Sequence, residues 1–163
     1  RDTESVAQVE RCCSSGTSRM PFHCMVKDGR EMMSIDDTQV NHMVLERIFT
    51  KEGFTFTSFC DGKSALDAIQ ERGYLPDCVL LDVMMPEMSG IEVCQRLREL
   101  YGQQLPILLI SAKSDEENIV QGFQAGCDDY VSKPFKRKEL VSRVESRCVK
   151  PGPVETTSSL PPL

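Results

Sequence analysis

The chain has 163 residues with a formal net charge of −6, and it contains 40% hydrophobic residues, 6% aromatic residues and no Trp. This length suits one domain of roughly 100–150 residues with a mostly aliphatic core and additional tails. The acidic balance argues against a nucleic-acid-binding surface, which needs a basic face. No apolar stretch approaches the roughly 20 residues of a membrane span, so we expect this segment to contact neither nucleic acid nor membrane.

The eight cysteines do not follow the spacing of a zinc site, because no CxxC pair occurs. Four of them, Cys78, Cys94, Cys127 and Cys148, fall on apolar faces of predicted strands or helices. A free Cys on such a face behaves as a small hydrophobic residue. This pattern indicates reduced thiols, and we expect a cytoplasmic protein.

The chain divides into one domain and two tails. Residues 1–30 have no sustained periodicity and are predicted to be an N-terminal tail or linker. Residues 150–163 are rich in Pro, Ser and Thr and are predicted to be a disordered C-terminal linker. The domain is expected to span residues 31–149.

Within this domain, short apolar runs alternate with segments of helical periodicity. Strands that alternate with helices predict right-handed crossovers and a parallel sheet covered on both faces. The third and fourth runs are almost wholly apolar and should be central, whereas the second run alternates and should be an edge strand. The predicted strands are 32–36, 54–59, 78–82, 106–111 and 128–132.

Several local signals mark the helix ends. Ser89 with Glu92, and Ser114 with Glu117, have the spacing of capping boxes. A glycine follows a helical segment at four positions, where a left-handed residue is favoured. These are Gly53, Gly73, Gly102 and Gly126. On the first predicted helix, His42 is expected to face solvent.

Polar residues follow four of the predicted strands. Asp36 and Asp37 follow the first strand, and Asp82 ends the third. Ser111 ends the fourth strand, and Lys133 follows the fifth. Because ligand sites of open α/β sheets form at the carboxyl edge, these side chains should lie close together.

Three aspartates and one lysine carry a charge of −2, which one Mg²⁺ ion would balance. Mg²⁺ is held by one or two carboxylates, waters and phosphoryl oxygens, and a carboxylate can act as a nucleophile that forms an aspartyl-phosphate. We assign Asp82 to that chemistry and Asp36 and Asp37 to the ion, with Ser111 and Lys133 as partners of a phosphoryl group. Taken singly, each residue is more often a helix cap or a turn. No GxxxxGK or GxGxxG motif is present.

The residues at these strand ends carry a family resemblance. Residues 31–149 resemble a response-regulator receiver domain of two-component and phosphorelay signalling. The resemblance implies a flavodoxin-like (βα)5 fold, a doubly wound parallel sheet with strand order 2-1-3-4-5. The matching segments are residues 34–37 (SIDD), 80–90 (LLDVMMPEMSG), 110–112 (ISA) and 129–135 (DYVSKPF).

The resemblance also implies the chemistry of the site. Asp82 would accept a phosphoryl group from the phosphohistidine of a histidine kinase or a histidine phosphotransfer protein. Asp37, Asp82 and the main-chain carbonyl of Met84 would bind Mg²⁺ directly, and Asp36 would act largely through water. We therefore expect a signalling module with slow self-dephosphorylation rather than a turnover enzyme.

The same resemblance assigns the residues that respond to phosphorylation. Ser111 and Lys133 would bind the phosphoryl oxygens, Tyr130 would be the rotating switch aromatic, and the bond between Lys133 and Pro134 would be cis. Ser111 stands where Thr is commoner in the family, but the hydroxyl is kept. Met84 lacks a polar group to orient an attacking water, so the phosphoryl group should be hydrolysed slowly.

Two other functions stay open. One is a phosphorylation-inert receiver that serves as a dimerisation or docking scaffold. The other is a phosphatase similar to haloacid dehalogenases, but these enzymes need an acid two residues after the nucleophile, where Met84 stands. We expect the segment to come from a larger protein, such as a hybrid sensor kinase, with a fused or separate output domain. A homodimer is left open.

Overall fold

Strands and helices alternate along the chain in the computed structural model, which describes residues 29–112 and 116–148. The strands are β1 (Arg30–Ile35), β2 (Phe54–Phe59), β3 (Cys78–Asp82), β4 (Ile107–Ser111) and β5 (Asp129–Ser132). The α-helices are α1 (Gln39–Lys51), α2 (Gly62–Arg72), α3 (Gly90–Tyr101), α4 (Glu116–Gln124) and α5 (Arg137–Arg147). In this part of the chain, no helix has the length and apolar character to cross a membrane. The predicted tails, apart from residues 29 and 30, lie outside the described residues.

The five strands form one parallel sheet in the order β2-β1-β3-β4-β5. This confirms the predicted flavodoxin-like order, with β3 at the centre and β2 at an edge. The predicted limits of β2 and β3 are confirmed, whereas those of β1, β4 and β5 were wrong by one or two residues. The strand β1 begins at Arg30, which pairs with Phe54, and the adjacent main-chain N–H of Glu31 donates to Asp77 Oδ2 at 2.6 Å. The same strand ends at Ile35, so Asp36 lies just beyond it.

The sheet is buried on both faces because successive side chains point to opposite sides. Met33 and Ile35 pack on the face covered by α2 and α3, whereas Met32 packs on the opposite face against α1 and α5. The central strands β3 and β4 are buried at every position, as their continuous apolar sequences predicted. This burial holds the carboxyl ends of the strands in fixed positions.

The four cysteines predicted to be apolar are all buried and free. Burial raises the pKa of the Cys94 thiol to about 11 and that of the Cys127 thiol to about 12. These two thiols are therefore protonated at neutral pH and act as small core residues.

The helix boundaries follow the predicted local signals. The Ser89 side chain accepts the Glu92 N–H, and the Glu92 carboxylate accepts the Ser89 N–H at 2.8 Å, which completes a capping box at α3. The second predicted capping box involves Ser114, which lies outside the described residues. All four helix-ending glycines have positive φ.

The expectation that His42 faces solvent was wrong. His42 is only 2% exposed, and its Nδ1 lies 3.3 Å from Ser34 Oγ. The physical reason is helical spacing, since position 42 shares the sheet-facing side of α1 with Leu45 and Phe49. His42 Nε2 is buried without a hydrogen-bond partner among the described residues.

Gly90 allows the start of α3 to approach the end of β3. A Cβ atom at this position would overlap the main-chain carbonyl oxygen of Asp82. The Gly90 N–H also donates to the carbonyl of Val83 at 3.0 Å. The close approach of backbone to backbone therefore fixes the segment that carries Asp82.

We predict that Gly90→Ala lowers the free energy of unfolding by about 1–3 kcal/mol, because the added methyl group forces backbone displacement in a packed region. Urea unfolding measures the loss. Gly29→Ala is the control, since a Cβ there would make ordinary contact with Thr55 Cγ2 at 3.6 Å. Equal stability of the two variants would contradict this account.

Candidate acidic site at the carboxyl edge of the sheet

The carboxyl edge of the sheet brings three aspartates together. Asp36 and Asp37 follow β1, and Asp82 is the last residue of the neighbouring strand β3. One carboxylate oxygen from each residue lies within 4.8 Å of the others. Sites of open α/β sheets form at this edge, so the predicted convergence of the three acids is present.

Asp36 is held by hydrogen bonds on both oxygens. It is 3% exposed. Its Oδ1 accepts the Thr38 N–H at 2.8 Å and the Asn41 side-chain amide at 3.0 Å. Its Oδ2 accepts the same amide at 2.8 Å and the Lys133 ammonium at 3.1 Å. The neighbouring Asp37 is exposed, and its Oδ1 accepts a 3.2 Å hydrogen bond from the Thr38 hydroxyl.

Lys133 bridges two of the acids. Its Nζ lies 3.1 Å from Asp36 Oδ2 and 3.1 Å from Asp82 Oδ1. Its main-chain N–H donates to the Ser111 carbonyl at 2.7 Å, which fixes the chain as it leaves β5. Burial alone would lower the pKa of Lys133, but the charges of Asp36 and Asp82 and their hydrogen bonds together raise it. Lys133 is therefore a stable cation at this edge.

Asp82 is 6% exposed, and burial is the largest cause of its raised pKa. The Lys133 hydrogen bond and charge oppose this rise, whereas the charges of Asp36 and Asp37 add to it. An additional cation would favour the ionised form of Asp82. The donor set consists of carboxylate oxygens, which suit a hard divalent ion such as Mg²⁺, so the residues fit the predicted metal.

Ser111 and Tyr130 lie on the neighbouring strands β4 and β5. Ser111, the last residue of β4, is completely buried. Tyr130 on β5 is 8% exposed and belongs to the core cluster on the α2 and α3 face. A Cβ atom at Gly122 of α4 would lie 3.1 Å from the Tyr130 ring, so ring and helix are in close contact.

The other two predicted site positions lie at loops. Met84 is 50% exposed, just after β3. The bond between Lys133 and Pro134 is cis, as the resemblance implied. The structure thus places the acids, Lys133 and Ser111 at one edge, with Tyr130 directed into the core.

A small cavity of about 50 Å³ adjoins the acids and includes residues that the sequence did not single out. Asn41 in the first turn of α1 is the most important, because its amide binds Asp36. No sequence signal distinguishes an Asn that binds a metal-site carboxylate from one in an ordinary helix start. The cavity is lined by Ser34, Ile35, Asp36, Asn41, Val44, Leu45, Leu80, Asp82, Ile110, Lys133 and Phe135.

We predict that Asp82→Asn stabilises the metal-free protein at neutral pH. Because folding raises the pKa of this carboxyl, its ionised form is less stable in the folded than in the unfolded chain. This destabilisation is complete above the folded pKa and disappears below the unfolded value of about 3.9. The advantage of the variant should therefore shrink as pH falls through the carboxyl range.

Urea unfolding in the presence of a chelator, at neutral pH and at progressively lower pH, measures this difference. Asp67→Asn is the control, since Asp67 is exposed on α2. If Asp82→Asn were less stable than the wild type at every pH, the ion pair with Lys133 would outweigh the cost of burial.

Known proteins are similar to this chain in sequence, and solved structures are similar to it in fold. The family model "Response regulator receiver domain" matches residues 32–145. The chain is 43% identical over 118 residues to the DNA-binding response regulator MtrA of Mycolicibacterium smegmatis, covering 72% of this chain and 50% of that protein. It is 39% identical over 116 residues to the transcriptional regulatory protein SrrA of Staphylococcus aureus, covering 71% and 46%. The chain thus spans about half the length of these relatives.

Two solved structures are similar throughout the domain. A putative response regulator from Chloroflexus aurantiacus has a TM-score of 0.70 at 32% identity, covering 75% of this chain and 99% of that one. The BeF3-activated DrrB receiver domain has a TM-score of 0.66 at 29% identity, covering 73% and 97%. The strand order, the acids at the carboxyl edge and these matches agree, and the chain belongs to the response-regulator receiver domain family.

Proposed function

We propose that Asp82 is the phosphoacceptor of this receiver domain and takes a phosphoryl group from a phosphohistidine. The observation that carries the proposal is the shared position of Asp82, Asp36 and Lys133, with Nζ 3.1 Å from both carboxylates. Asp82 is the acid at the end of the central strand, where packing leaves little freedom of movement. Positioning and charge neutralisation supply most of the catalysis of phosphoryl transfer.

Each residue then has a defined role. An oxygen of Asp82 forms a bond to phosphorus as the bond from phosphorus to the imidazole nitrogen breaks, and the imidazole leaves with the electron pair of that bond. The Lys133 ammonium and the Ser111 hydroxyl bind the phosphoryl oxygens. Asp37, Asp82 and the Met84 carbonyl would hold Mg²⁺, and Asp36 would assist them through water. When bound, Mg²⁺ neutralises charge on the transferred group.

An exposed apolar strip on α1 supports a protein as the phosphoryl donor. Val40, Met43 and Val44 are 64%, 61% and 46% exposed, and their spacing places them on one side of the helix. Val44 also lines the cavity that contains Asp82. A histidine kinase or histidine phosphotransfer protein that brings an imidazole to Asp82 would cover this strip with an apolar helix face.

The readout of phosphorylation involves the strands that follow Asp82. A phosphoryl group on Asp82 would draw the Ser111 hydroxyl toward it, and the Tyr130 side chain would follow by rotating. The contact between Tyr130 and Gly122 supports this route, because a change in the ring position alters the packing of α4. A fused or separate output domain would then read the α4 and β5 surface.

We place this activity in signalling rather than turnover catalysis. Neither the inert scaffold nor the haloacid-dehalogenase-like phosphatase is favoured by the family match. The cytoplasmic location, the domain limits at 31 and 149, and the lack of nucleic-acid and membrane contacts stay predictions. The name of the MtrA relative describes DNA binding. Whether this chain takes part in DNA binding would have to be tested in a longer protein.

We predict that acetyl phosphate and Mg²⁺ phosphorylate the chain on Asp82. Intact mass should rise by one phosphoryl group, and Asp82→Asn and a chelator should each abolish the change. Asp67→Asn should behave as the wild type. Steady release of phosphate from many esters would support a phosphatase, and no modification under any of these conditions would support the inert scaffold.

We further predict that the phosphoryl group is long-lived, because the Met84 side chain cannot orient a water molecule. Met84→Asn should accelerate loss of the group by supplying an amide at the same exposed position. Decay of the phosphorylated form after removal of the donor measures both rates. Loss of the group from the wild type within seconds would contradict the role given to Met84.

A further inference from the structure

Asn41 makes an unusual contact for a residue in the first turn of a helix. Its side-chain amide lies 3.0 Å from Asp36 Oδ1 and 2.8 Å from Asp36 Oδ2. Asp36 is almost fully buried, and Asn41 is partly buried beside it. The amide therefore contacts both oxygens of a carboxylate that the proposed function assigns to Mg²⁺.

This contact is not helix capping. A cap supplies an acceptor for the free N–H groups of the first turn, whereas the Asn41 amide donates to a carboxylate. The N-cap residue of α1 is Thr38, whose side chain makes no capping hydrogen bond. The Thr38 N–H already closes the local turn onto Asp36 at 2.8 Å, so the Asn41 bonds are additional to that turn.

The amide also differs from the other side-chain donor to Asp36. Lys133 carries a positive charge and binds both Asp36 and Asp82 at 3.1 Å. An arriving divalent ion competes with this ammonium, since both are attracted to the same oxygens. Asn41 is neutral, so it orients Asp36 without reducing the negative charge that attracts the ion.

The helix that carries Asn41 is anchored directly beneath the site. His42 is buried next to it, and its Nδ1 lies 3.3 Å from Ser34 Oγ. Ser34 is on β1, two residues before Asp36. This contact ties the first turn of α1 to the strand that presents Asp36, which gives the Asn41 amide a rigid support.

We propose that Asn41 is a positioning residue that holds the Asp36 carboxylate in the orientation needed to bind hydrated Mg²⁺. This inference rests on the proposed function, since it assumes that the acids bind Mg²⁺. Loss of a group that orients a metal-site carboxylate typically weakens metal affinity by about 10–100-fold. Asn41→Ala should therefore weaken Mg²⁺ binding within this range.

The test is direct titration of the unphosphorylated full chain with Mg²⁺ by calorimetry. The variants are Asn41→Ala and Asn41→Gln, in which the longer side chain keeps the amide and should restore much of the affinity. Gln39→Ala is the matched control, since Gln39 is exposed in the same turn. It should bind Mg²⁺ as the wild type does.

A second readout separates positioning from a purely structural effect. Phosphorylation by acetyl phosphate should need a higher Mg²⁺ concentration for its half-maximal rate in Asn41→Ala, and the rate should recover at saturating Mg²⁺. A structural defect would instead lower the saturating rate and the urea midpoint. If Asn41→Ala does not fold, Asn41→Ser carries the same test, because a hydroxyl donates only one hydrogen bond.

The outcomes distinguish this inference from the proposed function. Unchanged Mg²⁺ affinity in a folded Asn41→Ala or Asn41→Ser variant, with a wild-type chain that binds Mg²⁺, overturns the role of Asn41 alone. A saturating rate that does not recover also overturns it. A wild-type chain that neither binds Mg²⁺ nor becomes phosphorylated overturns the proposed function, and the role of Asn41 with it.

Discussion

The rest of this structure depends on one constraint, the gathering of three carboxylates of which two bind a single ammonium. Burial disfavours the charge on Asp82 and raises its pKa, whereas Lys133 compensates through hydrogen bonds to Asp82 and Asp36. One ammonium cannot neutralise three acids, so the metal-free edge keeps excess negative charge. In the proposed function, that excess would attract a divalent cation and, together with the cation, a transferred phosphoryl group.

The amino-terminal edge of the sheet, where the strands begin, has more complete charge pairing. There, Arg72 pairs with Glu31 at 2.5 Å, and Arg98 pairs with Asp128 at 2.6 Å. Asp128 also accepts the Ile107 N–H at 2.7 Å, which binds the loop before β5 to the start of β4. Acids are thus matched by arginines where the strands begin and are in excess where they end. The excess of acids lies at the carboxyl edge, where ligand sites of open α/β sheets form.

The surroundings of Asp36 connect this electrostatic arrangement to the packing of α1. The carboxylate receives a main-chain N–H, a neutral amide and an ammonium, and only the last of these alters the net charge. The neutral donors orient the carboxylate without changing its charge, whereas the ammonium would compete with a metal ion for the same oxygens. The first turn of α1 therefore bears on the site in two ways, through Asn41 at the acids and through the apolar strip at their border.

The sequence by itself determined the fold class, the strand order implied by the family resemblance, the edge position of β2 and the convergence of Asp36, Asp37, Asp82 and Lys133. The strand order came from the family resemblance, whereas the other features follow from hydrophobic periodicity, burial and strand-end position, all of which act over a few residues. Only the tertiary structure decided that His42 is buried and that Asn41 binds Asp36. The sequence does not show whether a polar residue on a helix is buried or which residue it contacts, because both depend on how that helix packs on the sheet. The start of β1 at Arg30 was likewise decided by pairing with β2 and by the Asp77 side chain, which are distant in the chain.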